Sequence, residues 1–430
     1  MTVRELSATD AAALLRPTDT MAIPLGPGAP AAVLHALGER DDWEDLQVFG
    51  ALLLDLYKLF TKKGVHYRSG FFGPAERLLL DAGADIEFLP ADFRRFVILA
   101  EKLAPRVMMT TAAAPDANGE MSLSLHAGAT VAELHRAAAD PDRVVIVEAN
   151  VQLPRTVGLP PQFPHALHID EVDVIVHSDV APFVLADLPA TDVERAIGER
   201  AIEFVPHGAT LQTGIGGVPS TVVSLLAEHD GGEYGVHSEM FTTGLMLLHQ
   251  AGKVTNTRKG VFNGFSVTTF ALGTADLYSW LDGNTDVRFL PVDVVNAPHT
   301  IGRNASMVSI NGALAIDFYG QVVADRIGDR QYSGIGGHED FVAPSGLELE
   351  DRSLICMPST VTREGVTVSR IVPQLPAGTT VTTPRHQVDI VITEHGTASL
   401  RGRTVRERAE ALIAIAHPDF RADLRAGWRA

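Results

Sequence analysis

The sequence predicts an α/β fold built from two related halves, and three observations carry that prediction. Apolar, β-branched runs (Val144 to Val147, Val172 to Val176, Thr210 to Gln212 and Val388 to Ile392) alternate with alanine- and leucine-rich amphipathic stretches such as Ala129 to Ala139 and Thr221 to Glu228. Runs of that length without polar alternation belong to strands buried on both faces, as in sheets covered by helices. Next, Pro17 to Leu37 can be laid on Pro206 to Leu226, where Pro17, Gly28, Pro30, Val33 and Leu37 fall on Pro206, Gly217, Pro219, Val222 and Leu226. Both copies read as strand, glycine turn, then helix, although glycine and proline are common turn residues after a strand and coincidence is the alternative reading. Finally, 430 residues are long for one hydrophobic core and suit two. The joint falls near Leu188 to Asp192, where a turn precedes a helix carrying Val193 to Ala201, which gives halves of 1–188 and 189–430.

Composition narrows the partners. With 46% hydrophobic and 20% charged residues the chain can bury a large core, and a formal net charge of −18 argues against nucleic acid or an anionic membrane, which need clustered Lys and Arg. An anionic ligand must then be held locally, by backbone amides or a few cations. The start, Met1 to Ser7, lacks the basic and apolar regions of a secretion signal, and no uncharged apolar run reaches the roughly 18 residues needed to span a bilayer, so a cytoplasmic location is expected. One cysteine excludes an intramolecular disulfide and any Cys-based zinc cluster, and its setting in Leu354 to Met357 reads as a buried strand.

Three glycine turns stand out. Gly214-Ile215-Gly216-Gly217-Val218-Pro219 follows a strand and opens a helix, where backbone N–H groups converge on an anion. It fails as a dinucleotide fingerprint because Pro219 takes the third glycine position, and Gly334-Ile335-Gly336-Gly337-His338-Glu339 fails at Glu339. Gly26-Pro27-Gly28-Ala29-Pro30-Ala31 fits the looser form ending in alanine, but no acidic residue closes the next strand at Val48-Phe49. For any one of these turns, tight backbone geometry is a sufficient explanation.

Other chemistries find little support. No Gly-x-Ser-x-Gly elbow occurs, the histidines share no metal-ligand spacing, and no metal is expected. Lys253, Arg258 and Lys259 read as a solvated turn rather than a phosphate site. Glu239 differs in placement. It follows a strand-like Tyr234 to His237 and begins the helix expected over Met240 to His249, which puts its carboxylate at a strand's C-terminal end beside a helix N-terminus, ionised and within reach of a ligand. The competing reading is a first-turn glutamate that merely complements a helix dipole.

Taken together, several blocks in one order resemble the acetyl-CoA hydrolase/transferase family. They are Glu148-Ala149-Asn150 with Pro154-Arg155-Thr156, Leu211 to Pro219, His237-Ser238-Glu239-Met240, Met307 to Asn311, Ser333 to Gly337 with Asp340-Phe341, and Thr393 to Gly396 with Leu400-Arg401-Gly402. The likeness is greatest to its 4-hydroxybutyrate CoA-transferase and butyryl-CoA:acetate CoA-transferase branch. It implies two Rossmann-like open-sheet domains of the CoA-transferase type, with the active site between them and a homodimer or larger assembly. It implies that Glu239 attacks an acyl-CoA thioester and passes through a glutamyl-CoA thioester, with an acyl-CoA and a short-chain carboxylate as substrates. The oxyanion donors map onto the amides of Ile215 and Gly337, with Asn296 as a side-chain contributor, and CoA contacts map onto Gly214, Ile215, Gly216, Gly217, Val218, Ser333 and Gly337.

Two departures qualify the likeness. Arg363 stands after Pro358-Ser359-Thr360 where the family commonly has lysine, and the two cations differ in shape and reach. The turn Pro24 to Gly28 also differs from the form associated with 4-hydroxybutyrate enzymes, which puts that acid in doubt. A thioesterase using the same intermediate, and a non-catalytic acyl-CoA binder, are the alternative functions.

Overall fold

The computed structural model describes residues 3–186, 188–345 and 348–428. The chain forms two compact units. The first takes Met1–Ala186, Val267–Val295 and Gln331–Gly336, and the second takes Asp187–Ser266, Asn296–Arg330 and Gly337–Ala430.

The first unit is built on strands β1 (Arg4–Glu5), β2 (Thr20–Ala22), β3 (Leu46–Gly50), β4 (Val65–Ser69), β5 (Ile86–Phe88), β6 (Val107–Ala113), β7 (Val144–Asn150) and β8 (Val174–Ser178). They lie in the order β1-β8-β7-β6-β2-β3-β4-β5, each pair parallel. All seven residues of β6 are buried, which explains why the strands read as unbroken apolar runs. Strand order reverses between β2 and β6, so the glycine turn after β2 sits at a topological switch point. On one side of this sheet Val33, Leu34 and Leu37 of the helix Ala31–Gly38 pack with Leu46, Phe60 and Tyr67.

The second unit carries strands β9 (Thr210–Thr213), β10 (Gly235–Val236), β11 (Met307–Gly312), β12 (Arg352–Cys356), β13 (Ile390–Thr393) and β14 (Gly396–Ser399). Their order is β10-β9-β11-β12-β13-β14, parallel except for the hairpin pair β13 and β14. Here the order reverses between β9 and β11, and the turn starting at Gly214 leaves β9 at that point. A core of Ile316, Phe318, Ile355, Val391, Leu412 and Leu424 covers part of the sheet.

The molecule is thus an α/β protein with parallel sheets, as the alternation predicted. Expected strands and helices recur with ends moved by a few residues: Val172 closes a short 3₁₀ turn, so β8 starts at Val174, and the helix expected from Ala129 runs Val131–Ala138. Strand, turn and helix also follow one another in both copies of the repeat, Thr20–Ala22 to Ala31–Gly38 and Thr210–Thr213 to Gly217–Glu228. Cys356 is buried in β12, where burial pushes its thiol up to about 12, too high for a neutral-pH nucleophile. Among the described residues no helix is long and apolar enough to cross a membrane.

One detail separates the two glycine turns. The Glu148 carboxylate at the end of β7 accepts from the amides of Ala32 at 2.8 Å and Val33 at 3.3 Å, filling the N-terminal end of the first-unit helix with an anion supplied by the chain itself. The start of the helix that follows the loosely dinucleotide-like turn at Gly26 thus already has an anionic partner within the chain. Glu148→Ala should leave both amides without that acceptor and destabilise the fold by about 1–3 kcal/mol. A fall in the urea midpoint measures this, and an unchanged midpoint contradicts it.

Candidate active site

The second sheet brings two chain ends together at one edge. Strand β9 ends in Thr213 and enters the turn Gly214 to Gly217, while β10, parallel to it, continues through His237, whose amide bonds Leu211 O at 3.0 Å, into Ser238 and Glu239. The Ser238 hydroxyl locks the ends together, donating to Thr213 O at 3.1 Å and accepting from Thr213 N at 3.3 Å. Glu239 is thereby fixed at the C-terminal edge of a parallel sheet, the usual place for ligand chemistry in this architecture.

Its local structure differs from the sequence expectation. Met240–Phe241 is extended, and the helix runs only Thr243–Gln250, capped by the Thr242 hydroxyl, which accepts from Leu245 N. Glu239 precedes the cap by three residues, so helix-dipole stabilisation does not reach it.

What does reach it is Asn296. Its Nδ2 donates to Glu239 Oε2 at 2.7 Å and to Asp340 Oδ2 at 3.0 Å. Asn296 and Asp340 are fully buried, whereas Glu239 is half-buried. Gly337 completes the cluster. A Cβ built there would lie 1.9 Å from Glu239 Oε2 and 2.6 Å from Asn296 Nδ2, so only glycine lets the backbone approach this closely.

Burial pushes the Glu239 carboxyl up to about 8; the Asn296 hydrogen bond pulls it down, and the Asp340 charge pushes it further up. Its surroundings therefore raise the proton affinity of this carboxyl above that of the freely ionised acid expected from sequence.

Among the residues singled out in the sequence, Glu239, Asn296 and Gly337 meet. Gly214, Ile215 and Gly216 form an open turn: Ile215 is 46% exposed, nothing lies within 4 Å of a Cβ built on Gly214, and Gly216 has φ +126°, which side-chain-bearing residues rarely adopt. Gly217 is accounted for by packing, since the Glu194 carboxylate occupies the place of its side chain, and Val218 is buried in the first turn of the helix. Ser333 lies in a segment of the first unit, and Arg363 is exposed at the tip of the hairpin Thr360–Arg363 and Val366–Ser369.

Two residues escaped the sequence reading of the site. Asp340 was visible only as part of a shared block, since nothing in its spacing marks it as Asn296's partner. Lys259, read as part of a solvated turn, is instead buried, donating to Val236 O at 2.8 Å and Phe265 O at 2.7 Å. Burial lowers its amine to about 7, and it braces the strand that carries Glu239. Among the described residues no group of three or more His, Cys, Asp or Glu side chains is disposed to hold a metal ion.

The raised proton affinity has a thermodynamic consequence. A carboxyl whose folded pKa of about 8 exceeds its ordinary 4.5 contributes stability below the lower value that is lost as pH rises through the upper one. Glu239→Gln keeps an acceptor for Asn296 and removes the titration. The variant should match the native protein's thermal midpoint near pH 4.5 and exceed it increasingly up to pH 8–9; a constant or reversed difference contradicts this.

The acetyl-CoA hydrolase/transferase C-terminal domain matches residues 273–427. The succinyl-CoA:cyclohexane-1-carboxylate CoA transferase of Geobacter metallireducens is 36% identical over 422 residues, 97% of this chain and 93% of its own. The 4-hydroxybutyrate coenzyme A transferase of Clostridium kluyveri is 36% identical over 92% of this chain and 90% of its own. The crystal structure of RipA from Yersinia pestis superposes with a TM-score of 0.90 at 31% identity, covering 99% of this chain and 96% of that one. Acetyl-CoA hydrolases are more distant, that of Candida albicans being 26% identical over 65% of this chain and 58% of its own. The chain is therefore an enzyme of the acetyl-CoA hydrolase/transferase family whose close relatives are coenzyme A transferases.

Proposed function

We propose that this enzyme moves coenzyme A between an acyl-CoA and a short-chain carboxylate through a covalent thioester on Glu239. The observation that carries the reading is the meeting of Glu239, the Asn296 amide and the side-chain-free backbone at Gly337. A Glu239 oxygen attacks the thioester carbonyl, the C–S bond breaks, and CoA thiolate leaves behind an acyl-glutamyl anhydride. The thiolate then attacks the glutamyl carbonyl carbon, breaking its bond to the bridging oxygen and releasing the first acid. An incoming carboxylate attacks the glutamyl thioester, and the same two steps in reverse deliver the new acyl-CoA and regenerate Glu239.

Each attack places negative charge on a carbonyl oxygen. Asn296 Nδ2 and the amides of Ile215 and Gly337 are the assigned donors, each typically worth about 3 kcal/mol in the transition state. The open Gly214 to Gly216 turn, with Gly217 and Val218, is assigned to CoA, and Ser333 and Arg363 to more remote parts of it. Binding of those parts offsets the unfavourable anhydride. The halves 1–188 and 189–430, a homo-oligomeric assembly and a cytoplasmic setting belong to the same proposal.

Transfer is what the closer relatives' names describe, while the hydrolases lie further off. Three-dimensional access of water to the glutamyl carbonyl decides between the two outcomes, and CoA release with and without a carboxylate acceptor measures it.

The test is isotope exchange. With acyl-CoA and its own labelled acid as the only substrates, double displacement predicts label entering the acyl-CoA, with parallel double-reciprocal lines for the full reaction. Glu239→Ala should lower exchange by at least about 10³-fold while CoA still binds. Because the nucleophile is the ionised form, kcat/KM should rise with pH and level off near 8, and Asn296→Ala, which removes the hydrogen bond that favours ionisation, should move that limb to higher pH. Intersecting lines without exchange, or an active Glu239→Ala protein, contradict the proposal; an unchanged limb in Asn296→Ala contradicts the assigned hydrogen bond.

A further inference from the structure

Asn296 has one amide nitrogen and uses both of its hydrogens on carboxyl groups, Glu239 at 2.7 Å and Asp340 at 3.0 Å. Its own Oδ1 is buried and makes no hydrogen bond among the described residues. A terminal amide can rotate by half a turn and exchange its oxygen for its nitrogen at little steric cost. Here the orientation is set electrostatically, since the reverse would press Oδ1 against two acidic oxygens. Asp340 is well placed to impose it: it stands in the short helix His338–Val342, which packs on the helix Pro298–Ile301 just beyond Asn296, and it is 1% exposed.

The two acceptors differ in what happens to them. On the function proposed above, Glu239 becomes an acyl anhydride and then a thioester, neither of which carries an anionic oxygen to hold the amide. Asp340 is not consumed. We infer that Asp340 is a positioning residue that keeps Asn296 Nδ2 aimed at the glutamyl carbonyl while Glu239 is covalently modified, so that the donor is in place for the second and third attacks as well as the first. The inference rests on that function, and it adds that the acid on the far side of Asn296 from the nucleophile serves to orient, not to react.

The experiment follows the acylation half-reaction by rapid quench, measuring both the rate constant and the final fraction of Glu239 labelled by acyl-CoA, in the native protein and in Asp340→Ala, Asp340→Asn, Asn296→Ala and the Asp340→Ala/Asn296→Ala double variant. Asp340→Ala should lower the rate constant about 10²-fold, with the labelled fraction unchanged and KM for acyl-CoA within about threefold. Asp340→Asn, which keeps the shape and an acceptor but frees the pair to exchange roles, should fall between. The double variant should be no slower than Asn296→Ala alone, because Asp340 acts through that amide. A native rate in Asp340→Ala, losses that multiply in the double variant, or a reduced labelled fraction at the native rate, which is what a purely structural role gives, overturns the inference. Absence of label on Glu239 in the native protein would instead refute the underlying function, so the two failures are distinguishable.

Discussion

The site depends on one amide nitrogen held between two acids. Asn296 Nδ2 reaches Glu239 and Asp340 at once, and it can do so only because Gly337 contributes no side chain to the space where the carboxylate lies. Everything nearby serves this arrangement. Parallel β9 and β10 end at the same edge of their sheet, Ser238 ties those ends together through both backbone groups of Thr213, and Lys259 braces Val236 from beneath. Each tie is a buried hydrogen bond whose loss leaves a desolvated partner, so the geometry is held more tightly than its few bonds suggest.

Electrostatics sharpen the picture. Two carboxyl groups share one neutral donor, and burial and the Asp340 charge together raise the proton affinity of Glu239 against the pull of the Asn296 hydrogen bond. On the proposed function, a more basic carboxylate is a better nucleophile once ionised, and anhydride or thioester formation removes the charge that the surroundings disfavour. The unfavourable ground state and the reactive one are thus two aspects of the same environment. A net charge of −18 supplies no general positive field, so on the proposed function an anionic cosubstrate is held by local groups, backbone amides and single cations, rather than drawn in from a distance.

Much of the fold was legible because buried parallel strands leave unbroken apolar runs, and turns between strand and helix leave glycine and proline. Residues 144–147 and 210–212 announced β7 and β9 in this way. The site was legible in part. Glu239, Gly337 and Asn296 came from likeness to a family, whereas their contact depends on segments nearly a hundred residues apart, for which no local pattern exists. The helix expected from Met240 failed because Thr242, whose hydroxyl caps Leu245, sets the start instead. The raised proton affinity of Glu239 was hidden for a different reason: it follows from what surrounds the acid in space, and Asp340 and burial are invisible along the chain. Lys259 is the same lesson with opposite sign, a cation whose neighbours in sequence are exposed and whose own amine is enclosed.

The central claim is that Glu239 becomes covalently attached to CoA. Incubating the native protein with acyl-CoA, reducing with borohydride and mapping the peptides by mass spectrometry addresses it directly. The account predicts that the glutamyl thioester at residue 239 alone is reduced, turning that side chain into the corresponding alcohol. Reduction at another residue, or an unmodified peptide from a preparation that turns over, would contradict it.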